Sequence, residues 1–431
     1  MEKQLALELL DFINASPTAY HAADTVKEYL KKEGFKELKE TEKWGLNKGE
    51  KYYIEKNNSA VIAFEVGTGD IVNDGFRIIG AHTDAPTFKI KPASEMKAEN
   101  RYVKLNTEVY GGPILSTWFD RPLSIAGRVA VKGNLALKPE IKLININKPL
   151  LIIPNIAIHM NRGVNDGYAF NAQKDTLPLL GFINEKFEKE GYLLTILSNE
   201  LGVNKDDILD FDLFLYEYER GCLIGLEEEF ISSSRLDDLC MLFSGLNGLT
   251  DSKVNKATKV LVAIDNEEIG SLTAQGARST FIKTTLERIV LSLGKDREEF
   301  FMTLNNSSMI SSDVAHAVHP NQGDKCDPTN RPILGGGPVI KIAASGSYST
   351  DSFASAVFQS VCKSAGVPCQ KFVNRSDMRG GTTIGPMSAA DLGISVMDIG
   401  TPLLAMHSVR ELGSVKDNYY TTKAFTEFYN L

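Results

Sequence analysis

The pattern of apolar and polar positions divides the chain into three parts. Apolar residues between positions 5 and 13 fall on one face of a predicted helix, and a second predicted helix follows Ser16-Pro17 and ends at Gly34. Strand-like runs then occur at residues 52–55, 60–66 and 76–81. From about residue 99 to 221 the runs are short, β-type and separated by Gly, Pro and Asn. After residue 221, strand patterns alternate with helical patterns.

The last part carries the clearest α/β pattern. Strands are predicted at residues 259–265, 338–343 and 394–399, and helices at 236–249, 280–293, 351–365, 382–392 and 414–429. This alternation predicts a mixed, largely parallel sheet with helices on both faces.

The domain organisation follows from the same three parts. We expect a discontinuous α/β domain of residues 1–97 and 222–431. A β-rich domain of residues 98–221 is expected to be inserted in it, with one helix around residues 177–190.

Composition and charge exclude several classes of protein. The net charge of the 431 residues is -8, with both signs interspersed, and this argues against nucleic acid as a partner. The five cysteines are scattered, which argues against a disulfide framework or a cysteine zinc site and favours a cytoplasmic protein. We expect no signal peptide and no membrane-spanning segment.

A histidine follows the predicted strand at residues 76–81. His82 begins the sequence His-Thr-Asp, and the carboxyl ends of strands are where open α/β sheets bind ligands. His82 can ligate a metal while Asp84 holds its second ring nitrogen. This short motif is weak on its own, so further ligands are needed.

Acidic residues follow other predicted elements. Glu267 and Glu268 come after the strand at 259–265, where one carboxylate can bind a metal and its neighbour can take a proton from water. A solvated acidic turn is the alternative. Asp237 or Asp238 precedes a helix, as an N-cap or as a carboxylate bridging two cations.

Two later segments add further donors. Asp313 is a candidate ligand, whereas the nearby His316 and His319 are ambiguous between ligands and hydrogen-bonded core groups. His407 follows the strand at 394–399, and a structural histidine is the alternative there. Taken together, these histidines and carboxylates, with no thiolate, fit two divalent ions such as Zn, Mn or Co.

The order of these motifs resembles the aspartyl aminopeptidase (aminopeptidase I) family of dinuclear zinc metalloaminopeptidases. The resemblance covers nearly the whole chain. It rests on His-Thr-Asp-Ala-Pro at 82–86, Arg-Leu-Asp-Asp at 235–238, Asn-Glu-Glu-Ile-Gly-Ser at 266–271, Ser-Asp-Val-Ala-His-Ala-Val-His-Pro at 312–320 and Ala-Met-His-Ser-Val-Arg-Glu at 405–411. Residues 117–121 and 380–386 also look like family motifs.

The resemblance implies a role for each candidate in a peptidase that removes N-terminal residues. Asp237 would bridge two metal ions, most simply Zn, with Co or Mn as alternatives. His82 and Asp313 would complete one metal site, and Glu268 and His407 the other. Glu267 looks like the general base, and Asp84 like the group that orients His82.

The resemblance also implies an assembly. The inserted β-rich block looks like the family's dimerisation domain, and the family builds dodecamers from dimers. His159 stands where a histidine is expected to reach the active site of the partner subunit.

Four residues are implied to contact the peptide substrate. Lys341 and Tyr348 match positions that meet an acidic side chain in the family, and Gly381 and Thr382 lie in its glycine-rich motif. An ammonium and a phenol can bind a carboxylate, so we expect a preference for N-terminal Asp or Glu. A lysine facing solvent from an edge strand is the alternative for Lys341.

Two other functions remain open on the sequence alone. A related dinuclear amidohydrolase, such as a deacylase or dipeptidase, would use the same metal ligands. A non-catalytic assembly protein would keep the scaffold, but it would not need a base such as Glu267.

Overall fold

The computed structural model describes residues 1–184, 191–378 and 380–431, and these divide into two compact units. The first unit contains Met1–Asp84, Gly221–Met406 and Glu411–Leu431, and the second contains Ala85–Arg220 and His407–Arg410. The first boundary therefore falls before residue 85, and not after the expected residue 97. The strand Thr87–Ala98 accounts for the difference, because it pairs with strands of the second unit.

A nine-stranded sheet forms the centre of the first unit. Its strands, in spatial order, are Lys36–Leu38, Lys51–Lys56, Ala60–Glu65, Thr258–Ile264, Phe76–His82, Ser308–Ser312, Ser395–Gly400, Val339–Ile342 and Gln370–Val373. Five of the eight neighbouring pairs are parallel and three are antiparallel. This confirms the predicted mixed, largely parallel sheet.

Helices cover both faces of this sheet, as predicted, because successive strand residues point to opposite sides. Ile79 belongs to one core and Ile78 to the other. The Ile79 core is covered by Glu2–Ala15, Ala19–Lys32, Leu236–Asp251, Ser352–Ala365 and Val415–Tyr429. The Ile78 core is covered by Ile71–Asp74, Phe281–Ser292, Arg297–Asn305 and Ile384–Leu392. Both faces being buried explains why the central strands are almost continuously apolar.

Two small sheets complete the first unit. One joins Cys222–Ile224, Phe230–Ser233 and Glu411–Ser414, and the other pairs Ala315–His316 with Pro402–Leu403. The first of them leads directly into the helix Leu236–Asp251, which begins with the Arg-Leu-Asp-Asp motif.

The second unit is built on an antiparallel six-stranded sheet. Its strands, in spatial order, are Lys138–Asn145, Leu123–Leu135, Ile208–Glu217, Thr87–Ala98, Tyr102–Tyr110 and Leu179–Phe182. Residues such as Phe88, Ile125 and Leu213 form its core, against which the helix Leu193–Leu201 packs.

The helix predicted around residues 177–190 is wrong over Leu179–Phe182. That segment is an edge strand paired with Tyr102–Tyr110, so tertiary pairing overrides its local pattern. Residues 185–190 of the prediction lie outside the described residues.

No helix within residues 1–184, 191–378 and 380–431 combines the length and the apolar character that a membrane crossing needs.

Candidate metal centre

Three neighbouring parallel strands of the first unit deliver candidate ligands to one edge of the sheet. His82 is the last residue of the central strand Phe76–His82 and is buried. Asp313 directly follows the strand Ser308–Ser312 on one side. The turn Glu267–Ile269 follows the strand on the other side. Because these strands are parallel, their carboxyl ends meet at the same edge, where such sheets bind ligands.

A helix N-terminus supplies the next two carboxylates. Asp237 and Asp238 lie in the first turn of the helix Leu236–Asp251. Asp237 Oδ1 lies 3.5 Å from His82 Nε2. The Asp238 carboxylate accepts the backbone N–H of His82 at 2.9 Å. Both aspartates are buried, and they face the strand that carries His82.

Among the described residues of the first unit, the donor atoms converge in two overlapping groups. One ligand atom from each of His82, Asp237, Asp238 and Asp313 lies within 4.8 Å of the others. The same limit holds for His82, Glu267 and Glu268. The predicted ligands of the first unit are therefore brought together around a single histidine.

Asp84 connects His82 to the glutamate turn. Its Oδ1 lies 3.3 Å from His82 Nδ1, and its backbone carbonyl lies 3.1 Å from the same nitrogen. Its two carboxylate oxygens accept the backbone N–H groups of Glu267 and Glu268, each at 3.1 Å. Asp84 thus faces the Nδ1 side of the imidazole and leaves Nε2 directed toward Asp237.

Burial and mutual repulsion raise the pKa values of several carboxylates in the cluster. Burial raises the pKa of Asp313 and raises that of Glu267 to about 7. Burial, with repulsion from Asp313 and Asp237, also raises the pKa of Asp238 well above its usual range. For His82, burial opposes protonation, yet the charges of Asp238, Asp237 and Asp84 raise its pKa well above the usual value. Divalent cations relieve the same repulsion without protons.

The donor set fits zinc. One imidazole and several carboxylates, without a thiolate, are ligands that zinc accepts, and cobalt or manganese can use the same set. Asp238 Oδ1 is buried and has no hydrogen-bond partner among the described residues. A buried carboxylate oxygen in this position is costly unless a cation or donor satisfies it.

Lys341 adjoins the cluster through Asp313. It lies in the strand Val339–Ile342 and is only 2% exposed, so it is not the solvent-facing edge lysine of the alternative interpretation. Its ammonium group donates to Asp313 Oδ2 at 3.1 Å and to the carbonyl of Val314 at 3.0 Å. The predicted substrate residue is therefore bonded to a predicted metal ligand.

The other predicted substrate residues lie on segments near Lys341. The Lys341 ammonium lies 5.3 Å from the ring centroid of Tyr348, which is buried. The Thr382 hydroxyl donates to the carbonyl of Ser347 at 3.2 Å, next to Tyr348. Gly381 and Thr382 are exposed. The fold therefore brings Lys341, Tyr348 and Thr382 to neighbouring segments.

Two predicted histidines fall in the second unit. His407 lies in the segment His407–Arg410, and its Nδ1 lies 3.0 Å from the carbonyl of Gly112. His159 lies exposed in a turn closed by the bond from the Met160 N–H to the Ala157 carbonyl. The ligand role of His407 and the role of His159 in a partner subunit stay predictions.

Sequence reasoning missed one buried carboxylate at the site, Glu411, and named Asp238 only as the alternative to Asp237. Asp238 holds the backbone of His82. Glu411 is 2% exposed, and its Oε2 accepts the backbone N–H of Asp237 at 2.9 Å. A signal was present for Glu411, since it closes the Ser-Val-Arg-Glu motif and is charged within a short buried strand.

The family assignment rests on a match over nearly the whole chain. The profile of the family described as "Aminopeptidase I zinc metalloprotease (M18)" matches residues 12–429. The chain belongs to the M18 family. It is thus a hydrolase, a metalloaminopeptidase of a family of zinc proteases.

Individual relatives agree with the family match. The "Probable M18 family aminopeptidase 2" of Clostridium novyi (strain NT) is 63% identical over 428 residues, which are 99% of this chain and 99% of the relative. The solved structure described as "Cryo-EM structure of the Ape4 and Nbr1 complex" has a TM-score of 0.95 at 39% identity, covering 100% of this chain and 86% of that chain. "Structure of S. cerevesiae mApe1 dodecamer" has a TM-score of 0.85 at 27% identity, covering 98% and 96%.

Proposed function

We propose that this M18 aminopeptidase uses two metal ions and prefers peptides with an acidic N-terminal residue. The observation that carries the proposal is the convergence of His82, Asp237, Asp313, Glu267 and Glu268 at one edge of the sheet. The buried ammonium group of Lys341, beside Asp313, supports the proposed preference for an acidic N-terminal residue. The first point concerns the reaction and the second concerns the substrate, so they can be tested separately.

The ligand assignment is the one that the family resemblance implies. His82 and Asp313 would hold one ion, Glu268 and His407 the other, and Asp237 would bridge them. Zinc held there supplies Lewis acidity toward a peptide carbonyl and lowers the pKa of water to about 7. Asp84 supports the site by holding the Nδ1 side of His82 and the backbone of the glutamate turn.

Glu267 is the proposed general base. It is half-buried, and burial is the main cause that raises its pKa above the usual value. A carboxylate with a pKa near the working pH can both accept and release a proton. Glu267 accepts a proton from the attacking water and then delivers it to the nitrogen of the leaving amine. Glu268, its neighbour in the same turn, is assigned to ligation.

Lys341 and Tyr348 are the proposed source of the acidic preference. Their side chains are buried, and the ammonium lies against the phenol ring. A substrate carboxylate would add a further charge-assisted partner to this pair, whereas an apolar side chain would add none. Gly381 and Thr382 are proposed to contact the peptide from the segment that precedes the helix Ile384–Leu392.

We further propose that the second unit mediates self-association into dimers that build a dodecamer. One structural neighbour, mApe1 of S. cerevesiae, is described as a dodecamer. His159, exposed in its turn, would then reach the partner's site and donate a hydrogen bond to the substrate carbonyl. All five cysteines are free thiols, which supports a cytoplasmic location. Light scattering that found only monomers would contradict the assembly and the role of His159.

The test is a set of peptides that differ only in the N-terminal residue, namely Asp, Glu, Leu or Lys, each also prepared with an acetylated N-terminus. Zinc-loaded protein of measured metal content is assayed on all of them. We expect two zinc ions per chain, highest kcat/KM for Asp and Glu, and no cleavage of acetylated peptides. Equal kcat/KM for Asp and Leu would contradict the acidic preference. Cleavage confined to acetylated peptides would favour a deacylase.

A further inference from the structure

Asp398 is a buried carboxylate that the proposed reaction does not use. It lies in the apolar strand Ser395–Gly400 and is 0% exposed. Its Oδ2 accepts the backbone N–H of Ser349 at 2.5 Å, and its Oδ1 accepts the hydroxyl of Thr383 at 2.5 Å. Burying an ionised group is costly unless its oxygens are satisfied, and these two donors come from separate segments of the chain.

Both segments carry a proposed substrate residue. Ser349 directly follows Tyr348, and Thr383 directly follows Thr382. Two more bonds join the same segments to each other and to the strand. Thr382 donates from its hydroxyl to the carbonyl of Ser347 at 3.2 Å, and the backbone N–H of Asp398 donates to the Thr350 hydroxyl at 2.8 Å. One carboxylate thus ties together the two segments that would line the pocket for the N-terminal side chain.

A glycine makes room for this carboxylate. A Cβ placed on Gly385 would lie 2.4 Å from Asp398 Oδ1 and 2.5 Å from Oδ2, closer than any real contact. The position is the second residue of the helix Ile384–Leu392, whose N-terminus is capped by Thr383 through its bond with the Gly385 N–H. The helix start therefore packs directly against Asp398, where the helix dipole favours a negative charge.

We propose that Asp398 is a positioning residue. It fixes the shape of the substrate pocket by holding the segments that carry Tyr348 and Thr382 in place relative to each other. The inference rests on the proposed substrate contacts of these two residues, but it does not depend on which N-terminal residue is preferred. Asp398 touches neither the metal ligands nor Glu267 in any described contact. Its loss is therefore expected to weaken substrate binding and to leave the chemical step and zinc content intact.

The test compares Asp398→Asn with wild type on whichever N-terminal residue the wild type cleaves best. Asparagine has one acceptor oxygen in place of two, so one segment loses its charged anchor. We expect KM to rise about tenfold, because a hydrogen bond to a charged group is lost at the pocket, with kcat changed less than about twofold. Zinc content should stay at the wild-type value. Thr383→Val removes the hydroxyl that donates to Asp398 and that also accepts the Gly385 N–H at the helix start. It should raise KM in the same direction, and it replaces Asp398→Asn as the test if that variant does not fold.

A matched control separates pocket positioning from general damage. Asp417 is another buried carboxylate of the first unit that accepts two backbone N–H groups, those of Gly335 and Gly337. Asp417→Asn should leave KM within about twofold of wild type. Unchanged KM in both Asp398→Asn and Thr383→Val, or an equal rise in Asp417→Asn, would overturn the proposal. Failure of the acidic preference would show instead in the wild-type kcat/KM values for Asp and Leu peptides.

A double variant adds a second readout. If Asp398 acts through Tyr348, then Asp398→Asn combined with Tyr348→Phe should raise KM by less than the product of the two single effects. A rise equal to that product would mean that the two residues act independently, which contradicts the proposal.

Discussion

The ammonium nitrogen of Lys341 lies 3.1 Å from Oδ2 of Asp313. This bond joins a residue that is proposed to bind the N-terminal side chain of the substrate to a residue that is proposed to hold a metal ion. It also satisfies a lysine that is 2% exposed, and burial of such a charge without a partner would cost several kcal/mol. The proposed substrate pocket and the proposed metal centre therefore share one charged pair.

Lys341→Met should remove the acidic preference. The apolar side chain keeps much of the length of lysine and cannot pair with a substrate carboxylate. We expect kcat/KM for an aspartyl peptide to fall by about 10- to 100-fold more than for a leucyl peptide, the size of one charge-assisted hydrogen bond.

The chain offers a matched control for this substitution. Lys259 is a buried lysine of the same sheet, paired with Glu65 at 3.2 Å. Lys259→Met should reduce stability and leave the ratio of aspartyl to leucyl kcat/KM unchanged. If both variants change the ratio of aspartyl to leucyl kcat/KM equally, Lys341 has no specific role in binding the acidic side chain of the substrate.

Glu267→Gln should separate catalysis from metal binding. Glutamine cannot accept the proton, so kcat is expected to fall by about 100-fold or more. Zinc content should remain that of the wild type, because Glu267 is not assigned as a ligand. Glu268→Gln, one residue along in the same turn, should lose zinc as well as activity. Near-normal kcat in Glu267→Gln would show that another group is the base.

Asp84→Asn should weaken zinc binding without removing a ligand. The amide keeps the size of the side chain but replaces one of the two oxygens that hold the N–H groups of Glu267 and Glu268. It also removes the negative charge beside His82 Nδ1. We expect the zinc affinity to fall about 10- to 100-fold, as measured by competition with a chelator. An unchanged affinity would limit Asp84 to a structural role.

The arrangement of strands explains how much of the site the sequence could predict. His82 and Glu267 each follow an apolar run, and a parallel sheet brings such ends together, so their convergence was predictable from pattern alone. The strand Ser395–Gly400 was predicted for the same reason. The strand before Asp313 reads Ser-Met-Ile-Ser-Ser at 308–312, which is not an apolar run, so it was not predicted.

Long-range backbone contacts were beyond the sequence pattern. The bond from the Asp237 N–H to Glu411 joins residues 174 positions apart, and the one from the His82 N–H to Asp238 spans 156. Neither separation along the chain matches a helix or strand period, so the pattern of apolar and polar residues cannot reveal these contacts. The strand Leu179–Phe182 was missed for a related reason, since its conformation depends on pairing with Tyr102–Tyr110 and not on its local pattern.

Asp417 should make stability depend on pH. Burial raises its pKa from the usual 3.8 to about 7, against the opposing effect of the N–H groups of Gly335 and Gly337. Between these two values the folded chain holds a proton that the unfolded chain has lost. The stabilising contribution of Asp417 to the free energy of unfolding is therefore fully present below about pH 4, and it is lost as the pH rises toward 7.

Asp417→Asn removes this titration. Between about pH 5 and pH 8, the melting temperature of wild type should fall relative to that of the variant, corresponding to about 3 kcal/mol of unfolding free energy. Differential scanning calorimetry of both proteins across this range measures the difference directly, and the variant serves as the reference for every other titrating group. A difference that stays constant with pH would mean that the two backbone N–H groups keep Asp417 ionised in the folded state. The two hydrogen bonds that the Asp417 carboxylate accepts from Gly335 and Gly337 would then stabilise the ionised form by more than burial destabilises it.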